Sequence, residues 1–284
     1  TEAVECCRRA LSIQSGLAGA ENNLGNALLK LGRLDESIAA YQRAMSLSPG
    51  DLETEYNLGI ALEHAGRLSE AEARQRSVLT RAPEHARATN NLGVVLKLQG
   101  RIAEAAEQFD RASRLSPGST AAVANRLATM LCREGVSGDE ILAAHCQSSA
   151  ALWGDFDRAP AGSSSQRRDR SPLRIGFVSP DFGQHPVGRF LLGGFESFDT
   201  RRVQAVCFSD RIQVDAFTDR FRSAAAEWFD IRGREDDVVA EWIRDAGIDV
   251  LVDLAGHTGH HRLGVFARRP APLQLTWIGY PSTT

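Results

Sequence analysis

Three six-residue words, NLGNAL, NLGIAL and NLGVVL, recur at an interval of 34 residues, and nothing else in the chain limits its fold so tightly. Leu24, Leu58 and Leu92 share one phase; so do Gly25, Gly59 and Gly93, then Gly32, Gly66 and Gly100, then Pro49, Pro83 and Pro117. Four columns in register define a repeated unit. A unit this short cannot bury an apolar face alone, so successive copies must stack.

The period is that of the tetratricopeptide repeat, a helix-turn-helix unit in which small residues let two helices approach and a proline closes the second helix. Gly32, Gly66 and Gly100 fall at the inter-helix turn, where a positive φ is expected and glycine adopts it without strain. Ala71 and Ala105 are expected at the helix crossing, with Tyr41 and Phe109 as bulky packers; Ser37 and Gln75 depart from that pattern. The phase predicts repeats over residues 1–119: a partial unit at 1–17, then complete units at 18–51, 52–85 and 86–119. Residues 120–157 keep helical spacing without the glycine column, so a degenerate repeat capping the stack is expected there. The chain is expected to begin in mid-repeat.

The sixth position of the unit holds Asn23, Asn57, Asn91 and, in the degenerate segment, Asn125. In such a stack that position faces the concave groove. An amide is both donor and acceptor, so a ladder of them could bind the backbone of an extended polypeptide whatever its side chains. The alternative is that each Asn bonds only its own or a neighbouring helix.

After 158–172, RAPAGSSSQRRDRSP, which has linker composition, the texture changes. Short apolar runs (LRIGFVS, VQAVCFS, EWFDI, IDVLVDLAG, PLQLTWIGY) alternate with amphipathic stretches of helical spacing. That alternation predicts βαβ units and a parallel, Rossmann-like sheet over 173–284, with any site in the loops after the strands. Those loops carry no GxGxxG and no GKS or GKT phosphate loop, which argues against a dehydrogenase or nucleotide hydrolase. They carry His185, flanked by Gly183 and Gly188, which would allow close approach of backbone to a ligand, and His257, with His260 and His261 close behind. A loop histidine taken singly is more often structural or exposed than catalytic, but two at adjacent strand ends of one sheet suit acid/base or phosphate-binding work as well. No second cluster of acidic or thiol ligands accompanies residues 257–261, so no metal site is expected.

A formal charge of -3 gives no footprint for nucleic acid, and no apolar run is long enough for a membrane span. Cys6, Cys7, Cys132, Cys146 and Cys207 form no CxxC pair, so reduced thiols and a cytoplasmic setting are expected. Lys30 and Lys97 are the only lysines.

The α/β part resembles the amino-terminal catalytic lobe of the protein O-GlcNAc transferases and their SPINDLY relatives. The resemblance rests on LRIGFVSPDFGQHPVG (173–188) and DVLVDLAGHTGHHRLGVFARRPAPLQLTWIGYPSTT (249–284), behind tetratricopeptide repeats. AGHT, where animal members carry NGYT, is nearer the bacterial branch. The resemblance implies an α superhelix followed by the first half of a two-lobed GT-B glycosyltransferase. It implies inverting transfer of GlcNAc from UDP-GlcNAc to Ser or Thr hydroxyls of a protein held in the repeat groove, with no metal and no cofactor beyond the donor. His185 matches the family's active-site histidine; His257 and Thr258 match an active-site loop, and Tyr280 and Pro281 match a GYP turn nearby. Glu241 is the nearest counterpart of an acidic group considered as a base, but its helix aligns poorly and it reads rather as a solvated helical charge. The family's diphosphate-binding lysine belongs to a second lobe, so a chain with no lysine after Lys97 is expected to be inactive alone. Two alternatives stand beside this reading: a non-enzymatic repeat scaffold for protein partners, and a relative using another sugar, by O-fucosyl or N-glucosyl transfer.

Overall fold

The computed structural model describes residues 2–154 and 172–280. The predicted linker falls outside these but for Pro172. The chain divides into two compact units, Thr1–Gly135 and Val136–Thr284.

The first unit is helical: α1 (Glu2–Ile13), α2 (Ala18–Lys30), α3 (Leu34–Leu47), α4 (Leu52–His64), α5 (Leu68–Arg81), α6 (Ala86–Leu98), α7 (Ile102–Leu115) and α8 (Thr120–Met130). The pairs α2/α3, α4/α5 and α6/α7 are the three repeats. Gly32, Gly66 and Gly100 have φ of 71°, 73° and 79°. At each turn the following amide reaches back five residues, Arg33 to the Leu28 carbonyl, Arg67 to Leu62 and Arg101 to Leu96. This is the Schellman arrangement, which satisfies carbonyls that the helix end would leave open.

The other glycine column sets the spacing within each pair. A Cβ on Gly25 would lie 2.6 Å from the Tyr41 ring, one on Gly59 2.3 Å from the Gln75 amide, and one on Gly93 2.7 Å from the Phe109 ring. Each bare backbone therefore receives one large side chain from the partner helix. The two residues that break the pattern are accommodated locally. Ser37 is buried and donates to the Gly25 carbonyl at 2.8 Å, and Gln75 donates to the Tyr56 carbonyl at 3.3 Å.

The second unit opens with α9 (Gly138–Trp153), started by a capping box between Ser137 and Glu140. Then follow β1 (Leu173–Ser179), α10 (Pro186–Glu196), β2 (Val203–Ser209), α11 (Ala216–Ala224), β3 (Glu227–Asp230), α12 (Asp236–Asp245), β4 (Val250–Asp253), α13 (Leu263–Ala267) and β5 (Leu273–Thr276). All four pairings are parallel, in the order β3-β2-β1-β4-β5. Alternate strand residues feed two cores. Phe177, Ala205, Cys207 and Val252 pack with Leu191, Phe195 and Phe221 on the α10/α11 face; Val178, Val206, Phe208 and Leu251 pack with Val239, Ile243 and Val265 on the other. A sheet covered on both faces explains why its strands read as continuous apolar runs. The strand order reverses between β1 and β4, and at such a switch point the diverging loops leave a crevice.

The expected cap over 120–157 is divided between the two units. α8 stays with the repeats, burying Val123 and Leu127. α9 belongs to the α/β unit instead, because the face bearing His145 and Trp153 packs against loops after β4 and β5.

Candidate functional site

Loops after β1, β2, β4 and β5 converge at the carboxyl edge of the sheet. His185 is the N-cap of α10, with Pro186 in the first turn. Its Nδ1 lies 3.4 Å from the Val187 amide nitrogen, which can donate to it, and 3.5 Å from Asp181 Oδ2. Its side chain is 43% exposed, and Nε2 has no protein partner among the described residues. Burial raises the Asp181 carboxyl above the usual carboxylate range, opposed by the nearby His185, Arg211 and His260.

The flanking glycines serve close approaches inside the protein. A Cβ on Gly188 would lie 2.2 Å from the Gly183 carbonyl, and one on Gly183 2.0 Å from the Arg211 guanidinium. Gly188 thus lets the first turn of α10 press onto the loop that presents Asp181. Arg211 is fixed beside it by a 2.6 Å ion pair with Asp215, whose carboxylate also receives the Gln184 amide at 2.8 Å. These contacts, with the Arg211 guanidinium, hold Asp215 well below the ordinary carboxylate range. The β1 and β2 loops are therefore locked to each other.

The β4 loop is organised by Asp253, 2% exposed, which accepts from the amides of Ala255 and Gly256 at 3.1 and 2.8 Å and from the Thr276 hydroxyl at 3.0 Å. Gly256 (φ 56°) and Gly279 then interlock the β4 and β5 loops. A Cβ on the first would lie 2.2 Å from Tyr280 Cβ, and one on the second 1.7 Å from the Leu254 carbonyl. Thr258 closes the turn, its hydroxyl donating to the Ala255 carbonyl at 2.8 Å.

His257, unlike His185, is interior. It is 2% exposed and neither ring nitrogen has a hydrogen-bond partner among the described residues. Rings surround it: His145 at 5.0 Å between centroids, Tyr280 at 5.6 Å, His261 at 5.8 Å and Trp153 at 6.4 Å. Burial, with His145 and His261 adding to it, pushes the His257 imidazole down to about 3, and burial pushes His261 down to about 4. His257 is thus a neutral ring wedged beneath the loops, while His185 stands at the open edge. Tyr280, whose hydroxyl burial raises to about 12, meets His145 Nε2 at 3.1 Å. Because His145 Nδ1 lies 2.7 Å from the Ile141 carbonyl, that nitrogen carries the proton and Nε2 accepts from Tyr280. Glu241 is exposed on α12, as a solvated charge would be; Pro281 lies outside the described residues. Among the described residues no three His, Cys, Asp or Glu side chains are grouped to hold a metal ion.

Sequence reasoning passed over Asp181, Asp253, His145 and Trp153. The two aspartates end or follow strands in SPDF and VLVD, and His145, Ser149 and Trp153 recur every four residues on one stripe of α9. Those positions were readable, but the partners that give them meaning are more than a hundred residues away for α9.

In the repeat unit the asparagine column follows one rule. Asn57 donates to Asn22 Oδ1 at 3.3 Å, Asn91 to the Tyr56 hydroxyl at 3.2 Å, and Asn125 to Asn90 Oδ1 at 3.0 Å. Each sixth-position amide therefore grips the fifth-position side chain of the preceding first helix, on α2, α4 and α6. Asn23, at the head of the column, is exposed. One N–H of each later amide is spent between repeats, which also fixes how the amides point.

Residues 156–284 match the Glycosyl transferase family 41 model, and residues 16–84 and 56–120 match tetratricopeptide repeat models. The probable UDP-N-acetylglucosamine–peptide N-acetylglucosaminyltransferase SPINDLY of Hordeum vulgare is 36% identical over 175 residues, covering 60% of this chain and 18% of that protein. Its Arabidopsis thaliana namesake is 37% identical over 180 residues, covering 60% and 19%. A solved structure of a mutant Thermobaculum terrenum O-GlcNAc transferase superimposes with a TM-score of 0.78 at 28% identity, over 93% of this chain and half of that one. The chain thus spans under a fifth of the length of these curated relatives.

Proposed function

We propose, for a chain that is a tetratricopeptide protein of the O-GlcNAc transferase and SPINDLY kind, that it serves a cytoplasmic protein glycosyltransferase moving GlcNAc from UDP-GlcNAc to Ser or Thr hydroxyls. The observation that carries this reading is the placement of His185. It caps a helix at the switch point of a parallel sheet, Nδ1 held by the protein and Nε2 without a protein partner. In the tautomer that leaves Nε2 without a proton, a nitrogen so placed can take the proton of an acceptor hydroxyl as that oxygen attacks the anomeric carbon and UDP departs. The interlocked β4 and β5 loops carrying Thr258 and Tyr280 supply a rigid wall beside it, with His257 as the ring that supports them.

In this reading the acceptor polypeptide lies along the repeats. Its backbone pairs with amides of Asn23, Asn57, Asn91 and Asn125, the last three already oriented by their inter-repeat bonds, so less ordering accompanies binding. Tethering the acceptor there raises its local concentration at the site. No metal enters the proposed reaction, and preorganised donors with a cation meet the charge on the leaving diphosphate. No described helix is long and apolar enough to cross a membrane, and all five thiols are free, in keeping with a reducing compartment.

The test is incubation of the full-length protein with UDP-GlcNAc and a co-expressed acceptor, read by intact mass. A gain of one N-acetylhexosamine, slowed about 100-fold in His185→Ala, is expected. Transfer of a different sugar, or transfer undiminished by that substitution, would overturn the reading.

A further inference from the structure

The His185 ring nitrogen that faces the protein has two competing partners. The Val187 amide can only donate to Nδ1, whereas Asp181 Oδ2 can only accept from it when ionised. The two contacts select opposite tautomers. If Nδ1 accepts from Val187, the proton sits on Nε2, and the exposed nitrogen is a donor unable to take a proton. If Nδ1–H is given to Asp181, Nε2 presents a lone pair.

We propose that Asp181 is a positioning residue that holds His185 in the second tautomer and so makes Nε2 the base; this rests on the transferase reading above. In the step that follows, the acceptor O–H bond breaks as its oxygen bonds the anomeric carbon. The proton passes to Nε2, and the bond from that carbon to the diphosphate oxygen breaks, its electron pair leaving with UDP. The imidazolium then lies between its new proton and the Asp181 carboxylate, which offsets its charge.

Three observations carry the assignment. The Asp181 side chain is only 18% exposed, and among the described residues His185 is its one ion-pair partner within 4 Å. Among the described residues it receives no backbone amide, unlike Asp253 and Asp215, which cap turns of their own loops. A half-buried carboxylate with no turn to hold costs stability unless it acts on a neighbour. Moreover, Gly188 brings the helix that carries His185 down onto the carbonyls of Asp181 and Gly183, so the two side chains cannot drift apart without moving that helix. The 3.5 Å separation is the loose geometry common before substrate closes a site. The other charged groups facing Asp181 are Arg211, engaged with Asp215, and His260, whose backbone is in the left-handed region at φ 58°.

Asp181→Asn in the full-length protein is the direct test, because an amide is isosteric and turns its NH2 toward Nδ1, imposing the wrong tautomer. Ring-nitrogen spectra of histidine-labelled protein, with His185 assigned by its own substitution, should move from the Nδ1–H to the Nε2–H pattern. The turnover number should fall roughly 100-fold with little change in donor KM, and adding His185→Ala should cost nothing more. Asp181→Ala must move the tautomer the same way, since Val187 N–H is then left to Nδ1. An unchanged tautomer in both variants, or losses that add in the double variant, would overturn the assignment. A full-length protein without transferase activity would instead sink the functional reading, and the spectra would decide the pairing alone.

Discussion

His145 and Tyr280 are joined at 3.1 Å across 135 residues of chain. The bond ties a helix before the sheet to the turn that follows its last strand, and the tautomer of His145 is set by the Ile141 carbonyl so that it accepts. His145→Phe removes the ring nitrogen that accepts from the half-buried Tyr280 hydroxyl, and Tyr280→Phe removes the hydroxyl that His145 Nε2 accepts from. Each should destabilise the α/β unit by about 1–3 kcal/mol. Denaturant unfolding of the two singles and the double should give a coupling of roughly 1 kcal/mol; simple additivity would show that the bond is not formed.

His257 and His261 predict an acid-labile lobe. Their folded values, about 3 and about 4, lie below the ordinary histidine value of about 6.5. The unfolded chain therefore binds protons that the folded one refuses. Their stabilising share is complete above about pH 6.5 and is lost as pH falls toward 4, at up to roughly 1.4 kcal/mol per pH unit for each ring. Melting temperatures of wild type and His257→Phe at pH 7 and pH 5 check this. The variant should show the shallower drop, and equal drops would contradict it.

The glycine column that receives the large side chains is intolerant of a methyl group. Gly93→Ala places a Cβ 2.7 Å from the Phe109 ring, in a core where Phe109 is fully buried. A loss of about 1–3 kcal/mol is expected, read by thermal unfolding. Gly19→Ala, which meets nothing within 4 Å, should be neutral or slightly stabilising.

The asparagine column separates acceptors by length. Asn57→Ala, Asn91→Ala and Asn125→Ala combined in the full-length protein should weaken protein acceptors about tenfold more than short peptides, because only a long chain spans several repeats. Equal losses in kcat/KM for both would place the column's purpose in holding the repeats together.

Periodicity made the repeats legible. A phase of 34 located every turn glycine and each closing proline, since those positions answer to local backbone geometry. The strands were legible as apolar runs, because both sheet faces are covered. α13 was not, being five residues long within an irregular stretch. The site was half legible: residues at strand ends could be named, but exposure separates His185 from His257, and exposure is decided by α9. Nothing near position 145 announces a partner at 280. Gly183 and Gly188 likewise read as room for a ligand, whereas Arg211 and the loop carbonyls occupy that room.

The placement of α9 decides where the molecule can be cut. Composition invites dissection within 158–172, yet an expressed lobe starting there would lack His145 and Trp153, uncovering a ring of aromatic groups that meet in the interior. The compact unit that includes α9 starts at Val136. A protease that clips the Ser- and Arg-rich segment would accordingly leave two fragments still held together, the helix remaining docked until denaturant releases it.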